Sequence, residues 1–139
     1  MTIVEVTDNA ARKVCSLLAL EQDPGLKLRA YVTGGGCQGL QYGFALESCA
    51  EPDDASVYIS LPRSSTPFLL NFFAALRGAN GLRGSYVTGF SVLIDPISLT
   101  YLQGAHIDYV IDAQGERFVV RNPNAKTTCG CARSFVPSD

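Results

Sequence analysis

Residues 26–47, LKLRAYVTGGGCQGLQYGFALE, constrain the fold more than any other stretch. Leu26, Leu28, Ala30 and Val32 recur at every second position, and Leu40, Tyr42, Phe44 and Leu46 do the same. A period of two is that of a half-buried strand. Between the two runs, Gly34-Gly35-Gly36-Cys37-Gln38-Gly39 is expected to leave the strand as a loop with unusual backbone angles, which glycine tolerates. The chain therefore starts from two strands joined by a glycine loop that carries Cys37 at its tip.

The other elements follow from caps and periodicity. Thr7 is placed to cap a helix over about 8–21, with Ala11, Val14, Cys15 and Leu18 on one face. Asp23-Pro24-Gly25 breaks the chain, and 48–55 is an acidic turn region in which Asp53-Asp54 reads as turn chemistry. Strands are expected at 56–60 and within 85–95, the latter weakened by Gly89. Asp95-Pro96 opens a short helix that ends by Gly104. HIDYVID and ERFVVRN read as a hairpin around Ala113-Gln114-Gly115. The tail from Asn122 shows little periodicity and is expected to be loop. Tyr31-Val32-Thr33-Gly34 is echoed by Tyr86-Val87-Thr88-Gly89, but no longer period accompanies it.

Residues 61–84 stand apart. Thr66-Pro67 suits a helix start and Gly78 a stop, with Phe68, Phe72 and Leu76, joined by Leu69 and Phe73, on one face. A helix packed on the core is the plainest reading. A patch for a partner or second subunit is the sharper one, and flanking Arg63, Arg77 and Arg83 leave a membrane-surface helix as a third.

Size and charge narrow the function classes. The 139 residues, 47% hydrophobic, suit one domain with a real core. A net charge of −2 from 11 basic and 13 acidic residues leaves no basic footprint for nucleic acid. The start, MTIVEVTDNAARK, lacks the pattern of a secretory signal, and the apolar run 67–76 is too short to span a bilayer. The expected compartment is the cytoplasm, where thiols stay reduced. Five cysteines, an odd number, then favour metal or redox chemistry over a disulfide framework.

Cys129 and Cys131 flank a single glycine, Gly130, so both thiolates can turn toward one centre. Cys37 is the natural third ligand. Thiolates select zinc, copper(I) or iron–sulfur clusters over hard cations. A closed zinc site wants four ligands from one chain, and the only histidine, His106, falls in an expected strand. An iron–sulfur cluster typically wants four thiolates. Three per chain fall short of four, while two chains related by a two-fold axis exceed it. The count thus favours a cluster shared across a homodimer. Successive N–H groups in the glycine loop suit an anionic cluster. Cys15 lies on the apolar helix face and Cys49 in the acidic stretch, and neither is expected to be a ligand. Tyr42 is close in sequence to Cys37, but its strand pattern points to a core role.

LKLRAYVTGGGCQGLQYGFAL, DPISLTYLQGAHIDYV and FVVRNPNAKTTCGCARSF together resemble the A-type iron–sulfur carriers, the HesB/IscA/ErpA family. The triple glycine and the NPNAK-T-CGC ending resemble its ErpA-like branch. The resemblance covers nearly the whole chain except 61–84. It implies a single small α+β domain with a HesB-like, compact β-sandwich-like core and a few short helices. It also implies dimers or higher oligomers that accept a [2Fe-2S] or [4Fe-4S] cluster from a scaffold protein and pass it to apo-proteins. The three cysteines of the family motif match Cys37, Cys129 and Cys131.

Three features depart from that pattern. Gln38 stands where the family often has serine, and Ala132-Arg133 where it usually has glycine and a small residue. Ninety-one residues lie between Cys37 and Cys129, more than the family usually shows, so 61–84 reads as an insertion. The competing function is a mononuclear iron or zinc module acting as store or sensor, which needs the same cysteines and no sulfide. A thiol oxidoreductase fits less well, because no C-x-x-C precedes a helix. No acid–base pair, activated nucleophile or phosphate loop is evident, so the chain is expected not to be an enzyme.

Overall fold

Thr7 begins the first helix as its hydroxyl suggests. Ala10 N donates to Thr7 Oγ1 at 3.3 Å and Ala11 N to Thr7 O at 2.8 Å, which satisfies donors that a helix start leaves open. This helix, α1 (Asp8–Glu21), buries Ala10, Ala11, Val14, Cys15 and Leu18 along one face. The computed structural model describes residues 3–21, 23, 25–36, 39–61, 89–128 and 134–138. The helix expected within 61–84 therefore lies outside the described residues, apart from Leu61, which packs against the core.

The strands are β1 (Val4–Val6), β2 (Lys27–Gly36), β3 (Gly39–Glu47), β4 (Ala55–Ser60) and β5 (Gly89–Ile94), then β6 (Ala105–Asp112), β7 (Gly115–Arg121), β8 (Ala125–Thr128) and β9 (Ser134–Pro137). A second helix, α2 (Pro96–Leu102), follows β5. One sheet has the order β1-β6-β7 and the other β4-β5-β2-β3-β9-β8. Val14 and Cys15 of α1, Val92 and Ile94 of β5, Leu102 of α2 and Ala105 and Ile107 of β6 meet in one core. This is the α+β architecture expected, with the two sheets and the helices enclosing a shared interior.

Both helix starts are made by local polar groups. Asp95 caps α2 by accepting from Ser98 N at 2.9 Å, with Pro96 in the first turn. Ser98 Oγ then accepts from Val32 N at 3.0 Å, which fixes α2 against β2. The β6–β7 hairpin forms as expected, with Asp112 paired to Gly115 and Gly115 at a φ of 110°.

Two expectations need correction, and one strand was not foreseen. The glycine run does not leave the ladder where expected: β2 continues to Gly36, and Gly36 still pairs with Gly39. The strand absorbs the change through a register shift between Gly34 and Gly36, with Gly35 at a φ of 101° and Gly39 at 102°. Those left-handed angles are what glycine contributes here. The tail from Asn122 is not loop either, because β8 and β9 pair with each other and β9 pairs with β3. Each is four residues long, too short to show a period. β1 went unforeseen for the same reason: its three residues gain their pairing from β6, in parallel, about a hundred positions later.

Ser60 at the end of β4 pairs with Gly89 at the start of β5, so the described β4–β5 ladder runs over the full length of both strands.

On the outer face of the large sheet, Arg29 reaches two carboxylates. Its Nη1 and Nη2 donate to Asp54 Oδ1 at 2.9 Å and Oδ2 at 2.6 Å, and its Nε donates to Glu47 Oε2. The Asp54 side chain is only 1% exposed, and Glu51 N also donates to it at 2.7 Å. Arg29 first, and then the Glu51 N–H, hold the Asp54 carboxyl below the usual carboxylate range. A depressed folded value stabilises above the unfolded pKa of about 3.9 and is lost as pH falls through the folded value. Arg29→Met should therefore lower the urea midpoint at neutral pH. It should also flatten the acid side of the stability profile below about pH 4. An unchanged acid limb would show that the pair carries no such linkage.

Candidate functional site

Four strands meet on one rung of the large sheet. Gly34 pairs with Leu40, Leu40 with Phe135, and Phe135 with Thr128. Thr128 immediately precedes Cys129, and Gly36 immediately precedes Cys37. Cys37, Cys129 and Cys131, with Gln38, Ala132 and Arg133, lie outside the described residues. The strands that lead to them are described, and their directions matter. Each neighbouring pair among β2, β3, β9 and β8 is antiparallel. β2 therefore delivers the chain toward Cys37 past one end of the rung, and β8 delivers it toward Cys129 past the other. With strands about 4.8 Å apart, the outer members of the rung stand roughly 14 Å from each other.

An aromatic stack holds the rung. Phe135 is 0% exposed. Its ring stacks on Tyr42, with centroids 4.5 Å apart and planes 6° apart, and meets Tyr101 edge-on at 6.3 Å. Tyr42 thus takes the core role its spacing suggested. Its hydroxyl is buried, and burial pushes its pKa up, partly offset by the nearby Asn122 side chain. Arg117 Nε is also buried and has no partner among the described residues. Both side chains line a cleft of about 300 Å³ between β3 and β7, walled by Phe44, Phe118 and Val120.

The NPNA turn at 122–125 has a structural task that sequence reasoning missed. Asn122 Nδ2 donates to Tyr101 O at 2.7 Å, and Asn124 Nδ2 donates to Tyr101 O at 3.1 Å and Gln103 O at 2.8 Å. Both carbonyls lie at the C-terminal end of α2, where the helix's own N–H donors run out. Ser138 N donates to Asn124 O at 2.7 Å. The turn therefore anchors both ends of the β8–β9 hairpin, and the pair of asparagines two residues apart was the signal available.

The remaining thiols and the histidine sit away from this rung's chemistry. Cys15 is buried, and desolvation pushes its thiol up to about 12, so it stays protonated and unreactive. Cys49 is exposed, with Sγ 3.8 Å from Ser48 Oγ. His106 Nδ1 lies 3.0 Å from Glu5 Oε2 on the face of β6, both half-exposed. Among the described residues no group of three or more His, Cys, Asp or Glu side chains is arranged to hold a metal. No helix among them is long and apolar enough to cross a membrane.

The fold is shared with known structures. The chain superposes on a crystal structure of IscA with the [2Fe-2S] cluster at a TM-score of 0.63 and 23% identity, covering 98% of this chain and 99% of that one. It superposes on Escherichia coli SufA, described as involved in biosynthesis of iron–sulfur clusters, at 0.60 and 22%, covering 96% and 91%. These likenesses establish the HesB-like α+β fold. No protein-family model matches the chain.

Sequence relatives are nearer. "Iron-sulfur cluster insertion protein ErpA 2" of Methylococcus capsulatus is 46% identical over 95% of this chain and 80% of its own length. The ErpA iron–sulfur cluster insertion protein of Hydrogenovibrio crunogenus is 42% identical over 96% of this chain and 94% of its own. At that identity over at least 95% of this chain and at least 80% of each relative, the chain belongs to the family of ErpA iron–sulfur cluster insertion proteins.

Proposed function

We propose that the chain carries an iron–sulfur cluster through Cys37, Cys129 and Cys131, shared with a second copy, and passes it to apo-proteins. What carries the reading is membership of a family whose relatives are named iron–sulfur cluster insertion proteins, together with three thiols on segments that follow β2 and β8 of the same sheet. Three soft thiolate donors suit iron with sulfide and fall short of the four that a cluster takes. A second chain supplies the rest. Either [2Fe-2S] or [4Fe-4S] satisfies that donor set.

The reading makes the chain a carrier and not an enzyme. The cluster is cargo: it arrives from a scaffold protein, is held by exchangeable thiolates, and leaves to thiolates of the recipient. A site closed by two chains opens when they part, which suits release. Thiolates that must stay reduced suit the cytoplasm.

Anaerobic reconstitution with iron and sulfide tests this directly. Iron, sulfide and mass are read on the same sample. Iron and sulfide in equal amounts on a dimer support the shared cluster. Metal without sulfide favours the mononuclear store or sensor instead, and a monomer that takes up neither rejects both.

A further inference from the structure

The cleft between β3 and β7 has about the volume of a small-ligand site, about 300 Å³. Its walls are apolar. The Phe44 and Phe118 rings meet at a tilt with centroids 5.3 Å apart, and Val120 is buried beside them.

Against these walls stand two hydrogen-bond donors. Arg117 Nε is buried and has no partner among the described residues. Nη1 of the same side chain is already used, donating to Asp112 Oδ1 at 3.0 Å. Tyr42 brings a buried hydroxyl. Burial pushes its pKa up, and the Asn122 side chain offsets this in part, as a donor to the oxygen does. The hydroxyl therefore keeps its own proton to give. A buried donor without an acceptor costs free energy that a bound acceptor recovers.

Charge decides which acceptor fits. Arg117 is paired with Asp112 at 2.9 Å, so it brings no spare positive charge. Glu116 also lines the cleft, and its Oε2 already accepts from the Tyr109 hydroxyl at 2.7 Å. The nearby Lys13 Nζ is taken up over the Tyr109 ring, 5.4 Å from its centroid. A carboxylate ligand would face the Glu116 charge with no unpaired cation among the lining residues to offset it. An uncharged carbonyl meets the same donors without that repulsion.

We propose that the cleft binds a small uncharged carbonyl compound of the amide class, with acceptors for Arg117 Nε and the Tyr42 hydroxyl and an apolar body resting on Phe44, Phe118 and Val120. The proposal does not depend on the carrier reading, because none of the groups it uses is a thiol.

Benzamide, benzoate and toluene serve as probes, titrated into the full-length apo chain with labelled Phe and Tyr rings followed by NMR. Benzamide should shift the Phe44 and Phe118 signals saturably, with a Kd of about 1 mM for so small a ligand. Benzoate adds a charge and toluene lacks an acceptor, and each should bind at least about fivefold more weakly. Arg117→Lys removes Nε and keeps a cation for Asp112, and Tyr42→Phe removes the hydroxyl and keeps the ring that stacks on Phe135. Each variant should weaken benzamide about fivefold and leave toluene unchanged, whereas a merely damaged fold would weaken both. Benzamide that leaves both phenylalanines unshifted overturns the proposal, the cleft then holding solvent alone. Toluene that binds as tightly as benzamide overturns it through the donors, and benzoate that does so overturns it through the charge. Sulfide uptake is measured on separate reconstituted samples, so failure of the probes leaves the carrier reading standing.

Discussion

Cys131→Ser should leave the chain folded and nearly empty of cluster. A serine hydroxyl stays protonated at neutral pH and is a hard donor, so it replaces the thiolate poorly. Loss of a partner that only supports a ligand already costs metal sites about 10–100-fold, so loss of a ligand should cost roughly tenfold or more in sulfide retained. The described rung is held by other means: Phe135, Leu40 and Thr128 are joined by backbone pairing and the aromatic stack. The apo melting temperature should therefore match wild type. Cys15→Ser and Cys49→Ser should retain the cluster, because one thiol is buried in the core and the other lies in a separate exposed turn. Retention of equal iron and sulfide by Cys131→Ser would remove this residue from the ligand set.

Phe135→Ala should have the largest effect on stability, about 3–5 kcal/mol by analogy with other buried aromatic truncations. The ring is 0% exposed and is the stacking partner of Tyr42. Its removal leaves a cavity between β3, α2 and β9, and it frees the one described residue that pairs with both β3 and β8. The urea midpoint of the apo protein measures the first effect. The second is read as sulfide retained under conditions where the variant is still folded, since a slack β8–β9 hairpin would hold Cys129 and Cys131 less firmly. Phe135→Leu keeps most of the volume and should lose less of both. A loss below about 1 kcal/mol for the alanine variant would mean that the site collapses around the missing ring.

What was legible in the sequence, and what was not, follows the range of the forces involved. Thr7, Asp95 and Pro96 act within one helical turn, so both described helix starts could be read directly. The 105–121 hairpin declares itself through adjacent runs and a two-residue turn. β1, β8 and β9 are stable only because distant strands supply their partners, and nothing within three or four residues signals that. The glycine run invited a loop because glycine permits one; its pairing partner across the turn decided otherwise. The identities of the candidate ligands were legible from residue type, number and spacing. The opposite directions in which β2 and β8 leave the common rung were not, because they depend on the order of strands in the sheet. Arg29 and Asp54, 25 positions apart, carried no local mark of their pairing.

Synthesis proceeds from one end, and that gives the parallel pairing of β1 with β6 a consequence in time. Thr7 Oγ1 donates to Asp108 Oδ1 at 2.6 Å across 101 positions of sequence. At about 5–20 residues per second, a ribosome leaves the first strand without its partner for roughly 5–20 seconds. Through that interval the apolar face of α1 has no finished core to enter. The nascent chain is thus most exposed to aggregation and chaperone capture before β6 emerges. Cys129 and Cys131 emerge later still, after β1 to β8 and ahead of β9, so the cysteine set is complete before the strand that carries Phe135 has joined the sheet.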